Sequence, residues 1–437
     1  MIGGIDMFKK AGPKMLRWIA ALATAALLLG ACAGDGEDRT KAQVRLVNAS
    51  SGYAELELNI DGQLRQGAVT YGTTADTIEV DPKKTASTLT RPGSATALLS
   101  FTPAFSKGKH YTLLAYGAQG ALKQLQLDED TGAPDTGKTQ LRVVNAAPDA
   151  GALDVYITGA DDLLPASIPV QSGAAVGVVG NWITVNSATW RLRITAAGSK
   201  TDLRLDLPAL VATSKQVVTL VLTPGRGGVL VSALLLQQQG AIVRQDTAQA
   251  RVRVAAGVTA GGAVTAAVGG TTLLTNTASP VVGLYALLPS GQQSVAVTVN
   301  GATLPTTSVN LLPGADYTLL VYGTQASPLV SWIEDDNRLP ADTSQARLRL
   351  VNGIASLAAP LAMTADLVPV ADSVLAGSGS AYSAVAATTT ADLSITAPGL
   401  ATPLFTAVDQ NFLPGAIYTV FVLGAADAAA GTLRKDR

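Results

Sequence analysis

The chain of 437 residues has one cysteine, one histidine and few aromatic residues, which make up 5%. The single cysteine, Cys32, excludes a disulfide within the chain and any metal site built from several cysteines. The single histidine, His110, argues against catalysis that needs a histidine between a nucleophile and an orienting acid. Charged residues make up only 14%, the formal net charge is −1, and no basic run is present. Nucleic acid is therefore not an expected partner.

The residues that are abundant favour β structure. Hydrophobic residues make up 48% of the chain, and it contains 43 glycines and 21 prolines. This composition is typical of short strands joined by many turns, and it does not fit a disordered chain. The chain is longer than the domains that usually fold around a single hydrophobic core, so several domains are expected.

The N-terminus has the pattern of a secretory signal over residues 1–31. Lys9, Lys10, Lys14 and Arg17 form a positive segment, and an apolar run of twelve residues follows over 18–29. That run is shorter than the 20 or so residues that span a bilayer core. It ends in Leu-Gly-Ala before Cys32, which resembles the bacterial lipobox. Either Met1 or Met7 fits as the start of this segment.

The lipobox resemblance predicts that the Cys32 thiol carries a diacylglycerol and palmitate, and that residues 32–41 form a flexible tether. Ala33, in place of aspartate, favours sorting to the outer membrane of a Gram-negative bacterium. The alternative is an incidental cysteine behind an ordinary signal peptide. The expected location is the cell envelope, with the periplasmic or the exposed face left open.

Four similar modules are predicted after the tether, over 42–130 (module 1), 139–240 (module 2), 248–340 (module 3) and 344–437 (module 4). Each opens with an alternating strand that carries an equivalent arginine. These are Arg45, Arg142, Arg253 and Arg349, spaced by 97, 111 and 96 residues. Alternation of this kind predicts a strand with one buried face and one solvent-exposed face that holds the arginine.

Two further landmarks recur in the modules. Asn48, Asn145 and Asn352 close the first strand and are predicted to bond to backbone in the following turn. Near the end of three modules, a turn glycine precedes Tyr-Thr and an apolar run. This resembles the tyrosine corner of Greek-key sandwiches, in which Tyr111, Tyr317 and Tyr418 would bond backbone through their hydroxyls. Module 2 has Val218 there and must close differently.

The sequence as a whole therefore predicts an all-β protein. Its tandem Greek-key β-sandwich domains would follow an N-terminal signal helix.

Acidic runs at the ends of modules 1 and 3 are the only groups with metal-ligand character. Asp128, Asp130, Asp335 and Asp336 could supply oxygen ligands to calcium at module junctions. They lack the spacing of a calcium loop, so a solvated turn is the favoured reading and no metal or cofactor is expected. Paired carboxylates for glycoside hydrolysis are a weaker reading of the same acids.

Two other groups of residues have structural interpretations that are preferred over functional ones. Gly225 to Gly228 is read as a hairpin and not as a phosphate loop, because no helix follows and the Gly-Lys-Ser/Thr ending is missing. Trp182, Trp190 and Trp332 are read as core residues, with a sugar-stacking platform as the alternative.

The segments Arg45 to Ala49, 67–80 and the Tyr-Thr-Leu-Leu strand resemble the family called domain of unknown function 4397. The run from Asp128 through Leu141 to Tyr156 resembles it as well. The match is good from 42 to about 160 and partial in modules 3 and 4, where Ala256 replaces the asparagine. This resemblance implies extracytoplasmic bacterial proteins with immunoglobulin-like repeats, and it supplies no catalytic or ligand residues.

The sequence therefore predicts a lipid-anchored, non-enzymatic protein with a spacer or adhesion role at the cell envelope. The alternative is a carbohydrate- or small-ligand-binding surface lipoprotein. A protein or glycan partner at the cell surface is expected, and the membrane is contacted through the N-terminal lipid.

Overall fold

The computed structural model describes residues 38–437. The predicted signal helix, Cys32 and most of the predicted tether lie outside the described residues. Within 38–437 the protein is all-β, with 36 strands and three short 3-10 turns at Pro148–Ala150, Leu164–Ala166 and Thr259–Gly261. None of the helical turns in this range is long and apolar enough to cross a membrane.

Module 1 is a sandwich of two four-stranded sheets. Its strands are β1 (Ala42–Asn48), β2 (Glu55–Ile60), β3 (Gln63–Thr70), β4 (Ile78–Val80), β5 (Ser87–Thr90), β6 (Ala97–Phe101), β7 (His110–Tyr116) and β8 (Lys123–Asp128). One sheet has the order β4-β1-β7-β8, and we call it the inner sheet because it faces a neighbouring module. The outer sheet has the order β3-β2-β5-β6. Strands β1 and β7 run parallel.

Module 2 repeats this plan with an extra strand at one edge. Its strands are β9 (Lys138–Asn145), β10 (Leu153–Thr158), β11 (Gln171–Ala174), β12 (Ile183–Asn186), β13 (Thr189–Ala196), β14 (Leu203–Val211), β15 (Val217–Pro224), β16 (Val231–Gln237) and β17 (Ile242–Gln245). The inner sheet is β12-β9-β15-β16-β17 and the outer sheet is β11-β10-β13-β14. Strand β17 therefore extends the sheet into the segment that leads to module 3.

Module 3 has the same two sheets. Its strands are β18 (Gln249–Val258), β19 (Ala263–Val268), β20 (Thr271–Ala278), β21 (Val281–Val282), β22 (Ala286–Pro289), β23 (Gly291–Val299), β24 (Ala302–Thr303), β25 (Thr307–Leu311), β26 (Asp316–Gly323) and β27 (Pro328–Asp335). The inner sheet is β21-β18-β26-β27, with β22 also on β18. The outer sheet is β20-β19-β23-β24, with β25 also on β23.

Module 4 completes the series. Its strands are β28 (Gln345–Ile354), β29 (Leu361–Ala365), β30 (Val368–Val374), β31 (Ser378–Gly379), β32 (Ser383–Ala386), β33 (Thr388–Thr396), β34 (Phe405–Phe412), β35 (Ile417–Ala425) and β36 (Ala428–Lys435). The inner sheet is β31-β28-β35-β36, with β32 also on β28, and the outer sheet is β30-β29-β33-β34.

The first strand of each module is buried on both faces. In β1 every residue is buried, although the sequence alternates. Val44 and Leu46 enter the core of module 1, whereas Val47 points the other way into a cluster shared with module 2. The strand therefore has the two faces that the alternation predicts, but the face expected to contact water contacts module 2.

The inner sheets of modules 1 and 2 face each other, and those of modules 3 and 4 do the same. The first contact is an apolar cluster of Val47, Ala49, Leu114, Tyr116, Leu127, Val144, Ala146, Val221, Leu234 and Leu236. The second consists of Ala255, Val282, Leu320, Tyr322, Ile333, Val351, Phe421 and Leu423. Removing this apolar area from water favours the paired arrangement.

The prediction of a solvent-exposed arginine face was wrong. Arg45, Arg142, Arg253 and Arg349 are only 5%, 7%, 3% and 2% exposed. Each lies on the face of its strand that the neighbouring inner sheet covers. Periodicity identifies the second face of a strand, but it cannot show whether another module covers that face.

The two pairs meet at the loop from Gly225 to Gly228. Gly227 donates its backbone N–H to Gly314 O at 2.7 Å and accepts one from Asn337 at 3.1 Å. An added Cβ on Gly227 would lie 2.5 Å from the carboxyl carbon of Asp316. The glycines therefore serve close approach between modules 2 and 3, and the Arg226–Glu334 ion pair spans the same junction.

Candidate functional site

A threonine bonds the buried arginine of every module. The strand register places Arg45 opposite Thr112, Arg142 opposite Thr219, Arg253 opposite Thr318 and Arg349 opposite Thr419. Each arginine Nε donates to the threonine hydroxyl, at 2.9, 2.9, 2.9 and 3.0 Å in that order. The strand patterns did not indicate this role, although a threonine recurs at the same place in all four modules.

An acid completes the unit in three modules. In the register each threonine faces a residue of the module's last strand, and the acid follows that residue by two positions. The acid is Glu129 in module 1, Asp335 in module 3 and Asp436 in module 4. Thr112 and Thr318 each donate to their acid at 2.6 Å, and Thr419 donates to Asp436. Because arginine and threonine both supply donors, a buried carboxylate here has its acceptor sites filled.

Modules 3 and 4 exchange their ion pairs. Arg349 of module 4 bonds Asp335 of module 3, and Arg253 of module 3 bonds Asp436 of module 4. The guanidinium of Arg253 also lies 3.7 Å from Asp335. Two cations and two anions thus lie together between the inner sheets, so the buried charge is balanced.

Two tyrosines cover these charges. Tyr285 lies under Arg253, with 4.5 Å from the guanidinium carbon to the ring centroid, and donates to Asp335 at 2.6 Å. Tyr382 lies 4.6 Å from Arg349 in the same way. Stacking of a guanidinium on an aromatic face adds attraction and excludes water. Burial raises the pKa of both tyrosines, so their hydroxyls stay neutral donors.

The pKa of Asp335 has two opposing influences. Burial favours the neutral acid, but the positive charges of Arg349 and Arg253 outweigh it and hold the pKa of Asp335 below its usual range. The carboxylate is therefore ionised at neutral pH, as an ion-pair partner must be.

Modules 1 and 2 use a simpler form of the same network. Arg45 bonds Glu129 of its own module at 2.8 Å. From module 2, the backbone N–H of Gln239 donates to Glu129 at 2.6 Å. Arg142 donates to Asp128 O across the interface at 2.9 Å and lies 4.4 Å from the Trp182 ring. Module 2 lacks the acid, so this interface has one buried carboxylate where the other has two.

The calcium candidates are engaged by cations or backbone instead. Asp335 belongs to the arginine network, and Asp336 bonds Arg338 and Arg347 at 2.7 and 2.9 Å. Asp128 accepts the N–H of Asp130 at 2.8 Å. Residues 38–437 contain no group of three or more acids, histidines or cysteines that could hold a metal ion. The reading of these runs as solvated turns was wrong for Asp335, which is 1% exposed.

His110 lies at the start of β7. Its Nδ1 is 2.8 Å from Asp130 Oδ1, and its backbone N–H donates to the other oxygen of that carboxylate at 2.9 Å. The interaction joins the strand to the segment after β8. This arrangement gives His110 a structural partner at the end of the sheet.

The tyrosine corners are confirmed. In each case the tyrosine hydroxyl accepts the backbone N–H five residues upstream. The donors are Ser106 for Tyr111 at 3.2 Å, Leu312 for Tyr317 at 3.2 Å and Leu413 for Tyr418 at 3.0 Å.

Module 2 closes differently, as expected. There Thr213 holds the position of the donor, and it donates to Gln216 Oε1 at 3.3 Å. A glutamine from the turn thus replaces the tyrosine hydroxyl as acceptor.

The predicted asparagine turns are confirmed too. Asn48 donates to Tyr53 O and Val69 O and accepts from Ser50 N at 3.0 Å. Asn145 forms the same three bonds in module 2. In module 4, Asn352 donates to Val374 O and accepts from Ile354 N. All three side chains are essentially inaccessible to solvent. They fasten the first strand to the outer sheet.

The three tryptophans have different environments. Trp332 packs edge-on against Tyr317 beside the core of module 3, with ring centroids 6.1 Å apart. Trp182 lies beneath Arg142. Trp190 bonds Asn186 O at 2.9 Å and lines a cavity in module 2. The interpretation as core residues therefore suits Trp332 best.

The geometry defines a protein of tandem β-sandwich modules joined in pairs through buried arginines. The family described as Domain of unknown function (DUF4397) matches residues 42–156 and 250–361. These segments span more than half of the chain, and the chain belongs to this family. Each segment contains all or nearly all of one module and the opening strand of the next.

Solved structures with a detectable likeness are remote. One is described as a "putative cell adhesion protein" from Bacteroides uniformis ATCC 8492, with 12% identity and a TM-score of 0.19, covering 46% of this chain and 99% of that one. Another is the Bacillus anthracis TIE protein, with 9% identity and a TM-score of 0.15, covering 87% of this chain and 68% of that one. No curated protein matches the chain.

Proposed function

We propose that this is a lipid-anchored, extracytoplasmic, non-enzymatic protein of the bacterial cell envelope that acts as a spacer or interaction module. The pairing of inner sheets through buried arginines carries the proposal. A spacer must keep its length and direction under load, and a large buried interface restrains the motion of adjacent domains. The Cys32 pattern extends the proposal to a location in the cell envelope, at the outer membrane of a Gram-negative host.

The use of the polar residues supports a non-enzymatic role. Catalysis usually needs an acid, base or nucleophile placed in a cleft with a perturbed pKa. Here the buried carboxylates with perturbed pKa values are held by partners within the protein: Asp149 by the Leu339 N–H, Asp316 by Arg251 and Asp335 by Arg349. The chemistry of the described residues is thus directed at holding modules together.

The anchor is tested by labelling cells with radioactive palmitate. The wild-type chain should incorporate the label and fractionate with the outer membrane, and Cys32→Ala should do neither. Ser51→Ala, a change at an exposed site in module 1, serves as the matched control and should label normally. Label retained in Cys32→Ala would contradict the proposed attachment.

Rigidity is tested by spin labelling, which the single cysteine makes simple. In a Cys32→Ala background, cysteines at Asp61 and Lys200 place one label on module 1 and one on module 2. A spacer predicts a narrow distribution of distances by pulsed electron resonance. Arg45→Met should broaden it, because Glu129 then loses its buried partner. A broad distribution in the unaltered pair would contradict the spacer role.

A further inference from the structure

Module 2 contains a mostly apolar cavity of about 310 Å³ between its sheets, and it opens to solvent beside Val211, which is 68% exposed. Its walls include Leu141, Leu210 and Trp190, and the ring of Trp190 is fixed by its bond to Asn186 O. Gln216 and Thr213 contribute polar groups. A cavity of this size is at the lower end of those that bind small molecules, and mostly apolar walls with a few polar groups are typical of them.

The cavity lies where the other modules place aromatic rings. Val218 is opposite Leu141 in the strand register, as Tyr111 is opposite Val44 and Tyr418 is opposite Leu348. The tyrosine of the corner is therefore replaced by a smaller side chain in module 2 only.

A second ring is missing at the same corner. Six residues before the tyrosine, module 1 has Phe105 and module 4 has Phe412, and each ring lies 5.2 Å from its tyrosine ring. Module 2 has Ala212 at that position, and both Ala212 and Val218 line the cavity. The space that two rings fill in modules 1 and 4 is thus left open.

The related modules show what chemistry fits this space. A phenol ring fills it in modules 1, 3 and 4, and its hydroxyl accepts a backbone N–H. In module 2 the corresponding N–H of Thr213 donates only to the side-chain amide of Gln216, over 3.3 Å. A ligand hydroxyl can take the place of that amide.

The cavity walls also disfavour a charged ligand. Among the described residues, all those that line the cavity are uncharged. A carboxylate or ammonium would lose its hydration there without gaining an opposite charge, which is costly. An apolar cavity of about 150 Å³ is known to hold benzene, so this one has room for a substituted ring.

We propose that module 2 binds a small neutral aromatic compound with one hydroxyl group, a phenol-class ligand, in the cavity lined by Ala212 and Val218. The ring replaces the missing Phe–Tyr pair, and the hydroxyl accepts the N–H of Thr213. This site gives the protein a ligand-binding function in addition to its proposed role as a spacer. It does not depend on the lipid anchor.

The test uses the full chain carrying Cys32→Ala and three probes followed by saturation-transfer NMR. The probes are p-cresol, toluene and benzoate. We expect saturable binding of p-cresol, binding of toluene weaker by about tenfold because it lacks one hydrogen bond, and no binding of benzoate. Absence of p-cresol binding would overturn the proposal, and toluene binding as tight as p-cresol would overturn the role of the hydroxyl.

Two kinds of variant locate the site. Ala212→Phe and the double change with Val218→Tyr refill the cavity, so each should weaken p-cresol binding at least tenfold while the chain melts no lower than before. Ala104→Phe, at an exposed site near the corner of module 1, is the matched control and should leave binding unchanged. Undiminished binding in folded Ala212→Phe would place the ligand elsewhere and refute the assignment.

Discussion

Replacing Arg349 with methionine tests the buried network most directly. The change keeps much of the apolar stem but removes the guanidinium that bonds Asp335, Thr419 and the Glu334 carbonyl. Before the change, two cations and two anions balance between modules 3 and 4. Afterwards one buried negative charge has no matching cation. Removing one partner of a buried ion pair typically costs about 3–5 kcal/mol.

The structure places the expected cost near the lower end of that range. Asp335 keeps Arg253 at 3.7 Å and the hydroxyls of Tyr285 and Thr318, each at 2.6 Å. We therefore expect a loss of about 3 kcal/mol in the free energy of unfolding. For a cooperative unit of two modules, this corresponds to a fall in Tm on the order of 10 °C.

Calorimetry of the full chain should show this fall in the transition of modules 3 and 4. Lys84→Met is the matched control, because Lys84 forms an ion pair on the surface with Asp61 and such pairs contribute little. A second variant, Arg349→Met with Asp335→Leu, removes the orphaned carboxylate and should regain at least half of the loss. A single variant that melts with wild type, or a double variant that is less stable than the single, would refute the reasoning.

The same network predicts how stability depends on pH. The pKa of Asp335 is lower in the folded protein than its ordinary value of 3.8. The ionised carboxylate therefore contributes stability above about pH 4, and this contribution is lost as the pH falls through the folded pKa. Asp335→Asn should differ most from wild type at neutral pH, and the difference should shrink under acid conditions. A constant difference from pH 7 to pH 2 would contradict the assignment.

Three further changes test single contacts. Tyr317→Phe should lower the free energy of unfolding, measured in urea, by about 1 kcal/mol, because the corner loses one hydrogen bond. An unchanged urea midpoint would show that the tyrosine corner does not stabilise the module. Asn352→Ala should cost about 2–3 kcal/mol, because a buried carbonyl and N–H lose their partner, and the loss should be visible as faster hydrogen exchange in the adjoining turn. Gly227→Ala places a Cβ 2.5 Å from Asp316 and should make the junction between modules 2 and 3 more sensitive to protease. In the control Gly132→Ala, the added Cβ meets nothing within 4 Å, so this variant should be cleaved at the wild-type rate.

The sequence predicted the features that depend on local chemistry. The asparagine turns and the tyrosine corners follow from side chains that accept a backbone N–H two residues downstream or five residues upstream, so their spacing along the chain reveals them. The asparagine bonds to the outer sheet, such as that from Asn48 to Val69 O, needed the folded structure. Strand alternation likewise revealed the two faces of β1. The replacement of the tyrosine by Val218 was visible, and so was the need for a different closure.

The cavity in module 2 required the folded structure. Ala212 and Val218 are ordinary residues in a strand-rich sequence, and only the register shows that they occupy the places of two rings. A missing side chain leaves a cavity only if the surrounding core does not collapse. That depends on packing from both sheets, which the sequence does not describe.

By itself, the sequence determined that the chain is a series of β modules of one family, because strand periodicity, turn residues and repeats can be recognised along the chain. Only the tertiary structure decided where the arginines point: Arg349 of one module is neutralised by Asp335 of the other. Such contacts join residues through the docking of whole sheets, and the same alternating strand could equally have faced water.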